Sequence, residues 1–504
     1  MAADFQHAEV ANLRRVVAVC LVVIALSATE ASAQRLHRYT VAIDPELTTL
    51  NVRACFDGAP PPYLVAESLD APLALMEARV ESTRRQIEPS GSISLKTVPE
   101  GGCILYAANV SRPIKQHDRT GGKIQRVGTD LLTSVGLWLW RPDTLGPDED
   151  IEIAFLLPEG ISVSAPWRQV ATTPARAVFR IGRGPWDWPA SVAFGRFKER
   201  EVRVGGARLR LSVLDGSPAA DVEQMQAWIA DAAQTVADLY GKFPLPQAQI
   251  LIVPGARSPE PTPWAYVVRG GSPAAHFFIN QRRPIREFYD DWTAVHELSH
   301  LLLPYVGSED AWVSEGVATY YQNVLRARGG RTTALDAWER LHAGFLRGMG
   351  SAPGMTLAQA TESMYRGGTH MRVYWEGAAM ILIADVRLRQ ITAGKQSMDT
   401  ALAALNECCS SAERAWSGRE LFDKLDEITG TTVFRELYDQ HVASKDFPDL
   451  TQAYRSLGIT ARGASIEVAP EGREKQLRDA IMETGVVGKL CIGRACGTYA
   501  ELPY

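Results

Sequence analysis

Along the first third of the chain, apolar and polar residues alternate in short runs. Tyr39–Ile43, Leu50–Cys55, Ser92–Val98, Ile104–Val110 and Ile151–Leu157 change character nearly every residue, which is the two-residue period of a half-buried strand. Clusters of Pro, Gly and Asp separate them, such as Gly58-Ala59-Pro60-Pro61-Pro62 and Pro147-Asp148. Residues 34–187 are therefore expected to form a β-sandwich-like N-terminal domain. Leu137-Trp138-Leu139-Trp140 offers two rings for carbohydrate stacking, but aromatic residues in strands usually pack, and both are expected in the core.

A Trp-, Pro- and Gly-rich linker, Gly184-Pro185-Trp186-Asp187-Trp188-Pro189, then changes the pattern. Short strands are expected at Glu201–Val204, Leu209–Val213, Ala248–Val253 and Ala275–Ile279. A helix from about Ala219 to Tyr240 carries Val222, Met225, Trp228, Ile229, Ala232, Val236 and Leu239 on one face. After Arg331 the helical period takes over, at Ala334–Leu346, Trp375–Gln390, Met398–Cys408, Ser417–Thr429 and Val433–Tyr438. The fold class is multidomain α+β: the sandwich, a sheet lobe over 188–330, an all-helical lobe over 331–459, and a tail over 460–504. The sequence shows no internal repeat.

Composition narrows the range of functions. A chain of 504 residues exceeds what one hydrophobic core serves. A formal net charge of −5, without basic runs, excludes a nucleic-acid partner. Residues 1–33 read as an export signal: Arg14 and Arg15 precede the apolar stretch Val16–Leu26, and Ala31-Ser32-Ala33 is a small-residue cleavage site. That stretch is too short to span a bilayer, so the mature chain is expected in the periplasm or outside the cell with no retained membrane anchor. Cys20 leaves with the signal. Cys55, Cys103, Cys408, Cys409, Cys491 and Cys496 remain, an even number suited to an oxidising compartment. Cys55 and Cys103 share the sandwich and are expected to pair, with the other four paired among themselves and a local Cys491–Cys496 bridge as one option.

The chemistry concentrates in Asp291–Gln322. There His296-Glu297-Leu298-Ser299-His300 sets two histidines four apart, one helical turn on the same face, with Glu297 beside them. A single helix is expected from about Ile285 to Tyr305, with apolar residues at helical spacing and Pro304 at its end. Glu315, fifteen positions after His300, opens a second helix-like stretch. Two histidines and one carboxylate leave a fourth zinc position for water, as in catalytic rather than structural sites.

His296–Pro304, Trp312–Tyr321 and Tyr374-Trp375-Glu376-Gly377-Ala378-Ala379, in this order, resemble the gluzincin metallopeptidases, most closely the glycyl aminopeptidase family. The resemblance runs from about Trp188 to Ile459. It implies a thermolysin-like catalytic unit with one Zn²⁺ held by His296, His300 and Glu315. It also implies Glu297 as general base and Tyr374 as stabiliser of the tetrahedral intermediate, with a peptide or protein as substrate. Two departures stand out. Glu376 replaces a family Lys, and the segment that carries an amine-binding carboxylate in the family reads Gly270-Gly271-Ser272-Pro273-Ala274-Ala275-His276, with no acidic residue.

Zinc-dependent hydrolysis of peptide bonds is the leading expectation, in a form that does not require a free N-terminus. The alternatives are an aminopeptidase and an exported binding protein that keeps the fold without activity. Asp291, Thr319 and Asp310 are expected to orient the zinc histidines, by proximity. Arg366 and His370 lie in a Gly-rich loop and are read as solvated.

Overall fold

The computed structural model describes residues 34–88, 91–111, 124–182, 190–269, 272–410 and 414–483. The expected export signal, the linker over 184–189, Gly270, Gly271, Cys491 and Cys496 lie outside these residues.

Alternation produces strands where it was expected, and the chain then layers them. In order these are β1 (Arg35–Ile43), β2 (Thr49–Cys55), β3 (Leu75–Val80), β4 (Cys103–Asn109), β5 (Ile124–Val127), β6 (Asp130–Ser134), β7 (Glu149–Leu156), β8 (Ser162–Ser164), β9 (Arg168–Thr173), β10 (Arg176–Ile181) and β11 (Ser191–Gly195). A seven-stranded sheet runs β9-β10-β7-β1-β2-β4-β3, and a four-stranded sheet runs β8-β11-β6-β5. The Phe155 ring meets Phe179 of its own sheet, Phe194 of the other sheet and Trp138, all edge-on within 6.2 Å. Trp138 and Trp140 are fully buried, as expected of packing residues. Cys55 and Cys103 face each other across β2 and β4 and are disulfide-bonded. Cys408 and Cys409 are bonded to each other.

Two expectations need correction here. Of the run 92–98, only Ile93–Ser94 pairs as strand, because the Val98 amide turns back to the Leu95 carbonyl. The strand Ser191–Gly195 lies beyond the expected boundary at Asp187, yet it hydrogen-bonds between β8 and β6, so the sandwich pairing runs past that point.

The second sheet contains β12 (Arg200–Val204), β13 (Ala207–Val213), β14 (Gln247–Pro254), β15 (Trp264–Val268) and β16 (Ala274–Ile279), in the order β12-β13-β14-β16-β15. Strands β13, β14 and β16 are parallel, and β15 is an antiparallel edge. One face of this sheet packs under α1 (Val222–Ala237), which starts where the Asp221 carboxylate accepts the Glu223 and Gln224 amides. Trp228 of α1 lies edge-on to Phe277 and Phe288. The other face meets the sandwich: Leu251 and Val253 pack with Leu132, Ala193 and Phe197. The buried Asp130 carboxylate clamps this contact, accepting the Arg196 amide at 2.9 Å and the Asp215 amide at 2.8 Å.

The helices that follow include α2 (Ile285–Asp290), α3 (Thr293–Ser299), α4 (Ala311–Arg328), α5 (Ala334–Met349), α6 (His370–Ile391), α7 (Met398–Cys409), α8 (Gly418–Thr429), α9 (Val433–His441), α10 (Thr451–Leu457) and α11 (Arg473–Met482), with the short helices Leu357–Glu362 and Met364–Gly367 between α5 and α6. Thr333, Ser397 and Ser417 open α5, α7 and α8 with capping boxes. The described part of the tail is docked: Arg328 donates to the Ile481 carbonyl, and the buried His342 bridges the Tyr454 hydroxyl and the Gly463 carbonyl at 2.9 Å each. Among the described residues, no helix is long and apolar enough to cross a membrane.

Candidate metal centre

The run expected as one helix from 285 to 305 is broken at Asp291, whose backbone is extended at ψ 146°. Its carboxylate accepts the Thr293 amide at 2.8 Å and so opens α3. The break leaves the histidine pair intact. His296 lies in α3 and His300 begins the 3₁₀ turn His300–Leu302, with their rings edge-on and 4.9 Å apart. Both are buried.

Glu315 enters from α4 and Tyr374 from α6, and two glycines bring these helices together. A Cβ built on Gly316 would lie 2.5 Å from the Gly377 carbonyl carbon, and one on Gly377 would lie 2.3 Å from the Trp312 carbonyl oxygen. The two backbones therefore touch, which only glycine at both positions permits. Glu315 precedes Gly316, and Tyr374 stands one turn before Gly377. Their side chains come close enough for the Tyr374 hydroxyl to help lower the Glu315 pKa and for Glu315 to help raise that of Tyr374. The Tyr374 ring also stacks on His296, with centroids 5.8 Å apart.

His296 Nδ1 lies 2.7 Å from Gln322 Oε1, and His300 Nδ1 lies 2.8 Å from Ser314 Oγ. An amide oxygen only accepts, so the His296 proton sits on Nδ1 and its Nε2 lone pair faces inward. The Ser314 hydroxyl, which can donate or accept, holds the His300 ring in place. Glu315 Oε2 then lies 3.3 Å from His296 Nε2 and 3.6 Å from His300 Nε2, buried and without a hydrogen-bond donor. These spacings suit an ion pair, and they equally suit a cation held between the Glu315 carboxylate and the two Nε2 atoms. Ligand atoms about 2.0–2.2 Å from a tetrahedral Zn²⁺ stand roughly 3.3–3.6 Å apart, so the three residues fit the metal.

The two carboxylates of the site are pushed in opposite directions. Burial raises the Glu297 carboxyl to about 7. Burial acts on Glu315 in the same sense, but His300, His296 and the Tyr374 hydroxyl outweigh it and hold Glu315 below the usual range. Glu315 is thus anionic at neutral pH, as a ligand must be, while Glu297 is poised to take and release a proton.

Asp291, Asp310 and Thr319 do not orient the histidines. Asp310 accepts the Trp312 indole N–H and the Gly418 amide, and the Thr319 hydroxyl is buried without a partner. Gln322 was legible in principle, since it stands seven positions after Glu315 and hence on the same face of α4. Glu376 is fully buried and paired with Arg372 one turn earlier. His370 is not in a loop. It begins α6 with its ring edge-on to Tyr374 at 6.2 Å.

No family model matches the chain, and no curated protein does. Solved structures match it in fold. An aminopeptidase N family protein from Idiomarina loihiensis aligns over 84% of this chain and 78% of its own, with a TM-score of 0.63 at 13% identity. An M1 zinc metallopeptidase from Deinococcus radiodurans aligns over 83% of this chain and 95% of its own, with a TM-score of 0.54 at 13% identity. A mutant of the Deinococcus radiodurans enzyme, bound to a Tyr-Ser-Ala substrate, aligns with a TM-score of 0.55.

Proposed function

We propose that the protein is a zinc-dependent peptide hydrolase, with His296, His300 and Glu315 as metal ligands, Glu297 as general base and Tyr374 as hydrogen-bond donor to the reacting carbonyl. The observation that carries this reading is the convergence of three buried donor atoms, Nε2 of His296, Nε2 of His300 and Oε2 of Glu315. The shared fold with zinc metallopeptidases supports it. Bound there, Zn²⁺ would supply Lewis acidity towards a water molecule and a peptide carbonyl.

Glu297 performs the proton transfers. A carboxyl raised by burial is suited to take a proton from the attacking water and to return it to the leaving amine. The Tyr374 hydroxyl turns from Glu315 to the carbonyl oxygen as negative charge collects there. One such donor is worth about 3 kcal/mol.

A free N-terminus is not required in this reading. A buried α-ammonium needs a carboxylate. Glu315 and Glu297 are already assigned, Glu376 is held by Arg372, and the segment before β16 contributes Arg269 in place of an acid. Arg269 is buried, donates to the Leu303 carbonyl and lies close enough to His300 to lower its pKa. Export fits the Cys55–Cys103 bond, since disulfides persist in oxidising compartments. The test compares an N-acetylated peptide with its free-amine twin, each with and without a chelator. Chelator-sensitive cleavage of both is expected. Cleavage of the free amine alone would establish an aminopeptidase, and no cleavage of either would remove the peptidase reading.

A further inference from the structure

Five rings form a row through the site. Trp292 lies edge-on to His296 at 5.2 Å, His296 stacks on Tyr374 at 5.8 Å, Tyr374 meets His370 edge-on at 6.2 Å, and His370 meets Tyr365 edge-on at 6.4 Å. Of the inner members, His296 and Tyr374 carry the chemistry proposed above. The two ends carry none, yet they are the large rings most open to solvent in this region: Trp292 is 41% exposed and Tyr365 is 52% exposed. Met371, one turn before Tyr374 on α6, is 39% exposed. Local packing places each ring. Trp292 sits in the break between α2 and α3, and Tyr365 sits in the single turn Met364–Gly367, which Gly368 ends in the left-handed conformation at φ 69°.

We infer that the site takes peptides with an aromatic side chain beside the scissile bond, seated against the exposed rings of Trp292 and Tyr365. This rests on the peptidase reading. A peptide lying across Tyr374 and the metal ligands passes an exposed apolar ring at either end of the row. A bound aromatic side chain removes apolar area from water on both partners and adds edge or stacking contacts that an alkyl chain lacks.

The experiment uses the zinc-loaded full chain and two peptides, identical except for one central Phe or Ala, each in free and N-acetylated form, with cut positions mapped by mass spectrometry. Cleavage next to Phe is expected, with kcat/KM at least ~10-fold above the Ala peptide, the discrimination an apolar pocket provides. Trp292→Ala and Tyr365→Ala should each pull the Phe-to-Ala ratio towards one, and Tyr365→Phe, which keeps the ring, should preserve it. Trp264→Ala, which removes an exposed ring outside the row, should leave the ratio unchanged. Equal cleavage of both peptides by the parent overturns this inference and leaves the peptidase reading standing. No cleavage of any peptide overturns the peptidase reading itself.

Discussion

His296 Nδ1 stands 2.7 Å from the Gln322 amide oxygen, two helical turns along α4 from Glu315. One face of one helix thus supplies one proposed ligand and the group that fixes the tautomer of another. Groups behind a metal ligand typically govern 10- to 100-fold in affinity. Gln322→Leu should therefore weaken zinc binding by about that factor, read by competition with a chelating dye, while Gln322→Glu, which keeps an acceptor, should not. A Leu variant that binds as tightly as the parent would show that the hydrogen bond does not orient His296.

The opposed shifts of Glu297 and Glu315 fit the different roles proposed for them. Glu297→Gln should keep zinc and lose nearly all hydrolysis, since an amide cannot accept the proton of water. His296→Ala and Glu315→Ala should lose the metal itself, as elemental analysis would show. Stoichiometric zinc in both Ala variants, or near-normal turnover in the Gln variant, would reverse these roles.

Tyr374→Phe removes one hydroxyl and leaves the ring stacked on His296. A fall in kcat of about 10²-fold with little change in KM is expected if the hydroxyl acts only as charge develops. A loss confined to KM would mean that Tyr374 binds substrate in its ground state.

The contact between Gly316 and Gly377 leaves no room for a methyl group. Gly377→Ala should part α4 from α6, costing roughly 1–3 kcal/mol of stability by overpacking. Because Tyr374 rides on the same helix, turnover should fall further than the stability loss alone accounts for. Calorimetry and kinetics that match the parent would show that the helices separate freely.

Much of this site could be read from residue order. Two histidines four apart and a later glutamate form a metal-ligand pattern on helices wherever those helices lie, and alternation placed β1, β2, β4 and β7 of the sandwich. What escaped depended on contacts between distant segments. The break at Asp291 arises because a side chain competes with the helix for the Thr293 amide. The edge strand Trp264–Val268 lacks a polar alternation to announce it, and β11 takes its place from partners some 60 residues earlier. Gln322 and Ser314 carry no charge, and proximity along the chain pointed instead to Asp291, Thr319 and Asp310. The direction of Glu376 was decided by Arg372, one turn before it.

His276 offers a test of the fold that does not involve the metal centre. It lies in β16, fully buried, 3.5 Å from Gln249, whose amide in turn reaches Ser164 and the Ser191 carbonyl of the sandwich. Burial lowers its pKa to about 3. In the unfolded chain the imidazole titrates near its ordinary value of about 6.5. The folded state therefore refuses a proton that the unfolded state accepts, and stability is lost as pH falls from about 6.5 towards 3, by up to roughly 1.4 kcal/mol per pH unit. His276→Met removes that titration. Its melting temperature should lie below the parent's at pH 7.5 for lack of fit, yet decline less steeply than the parent's between pH 6.5 and 4.5. Parallel declines in the two proteins would mean that His276 is reached by protons in the folded state, and hence that the contact between sandwich and sheet opens readily.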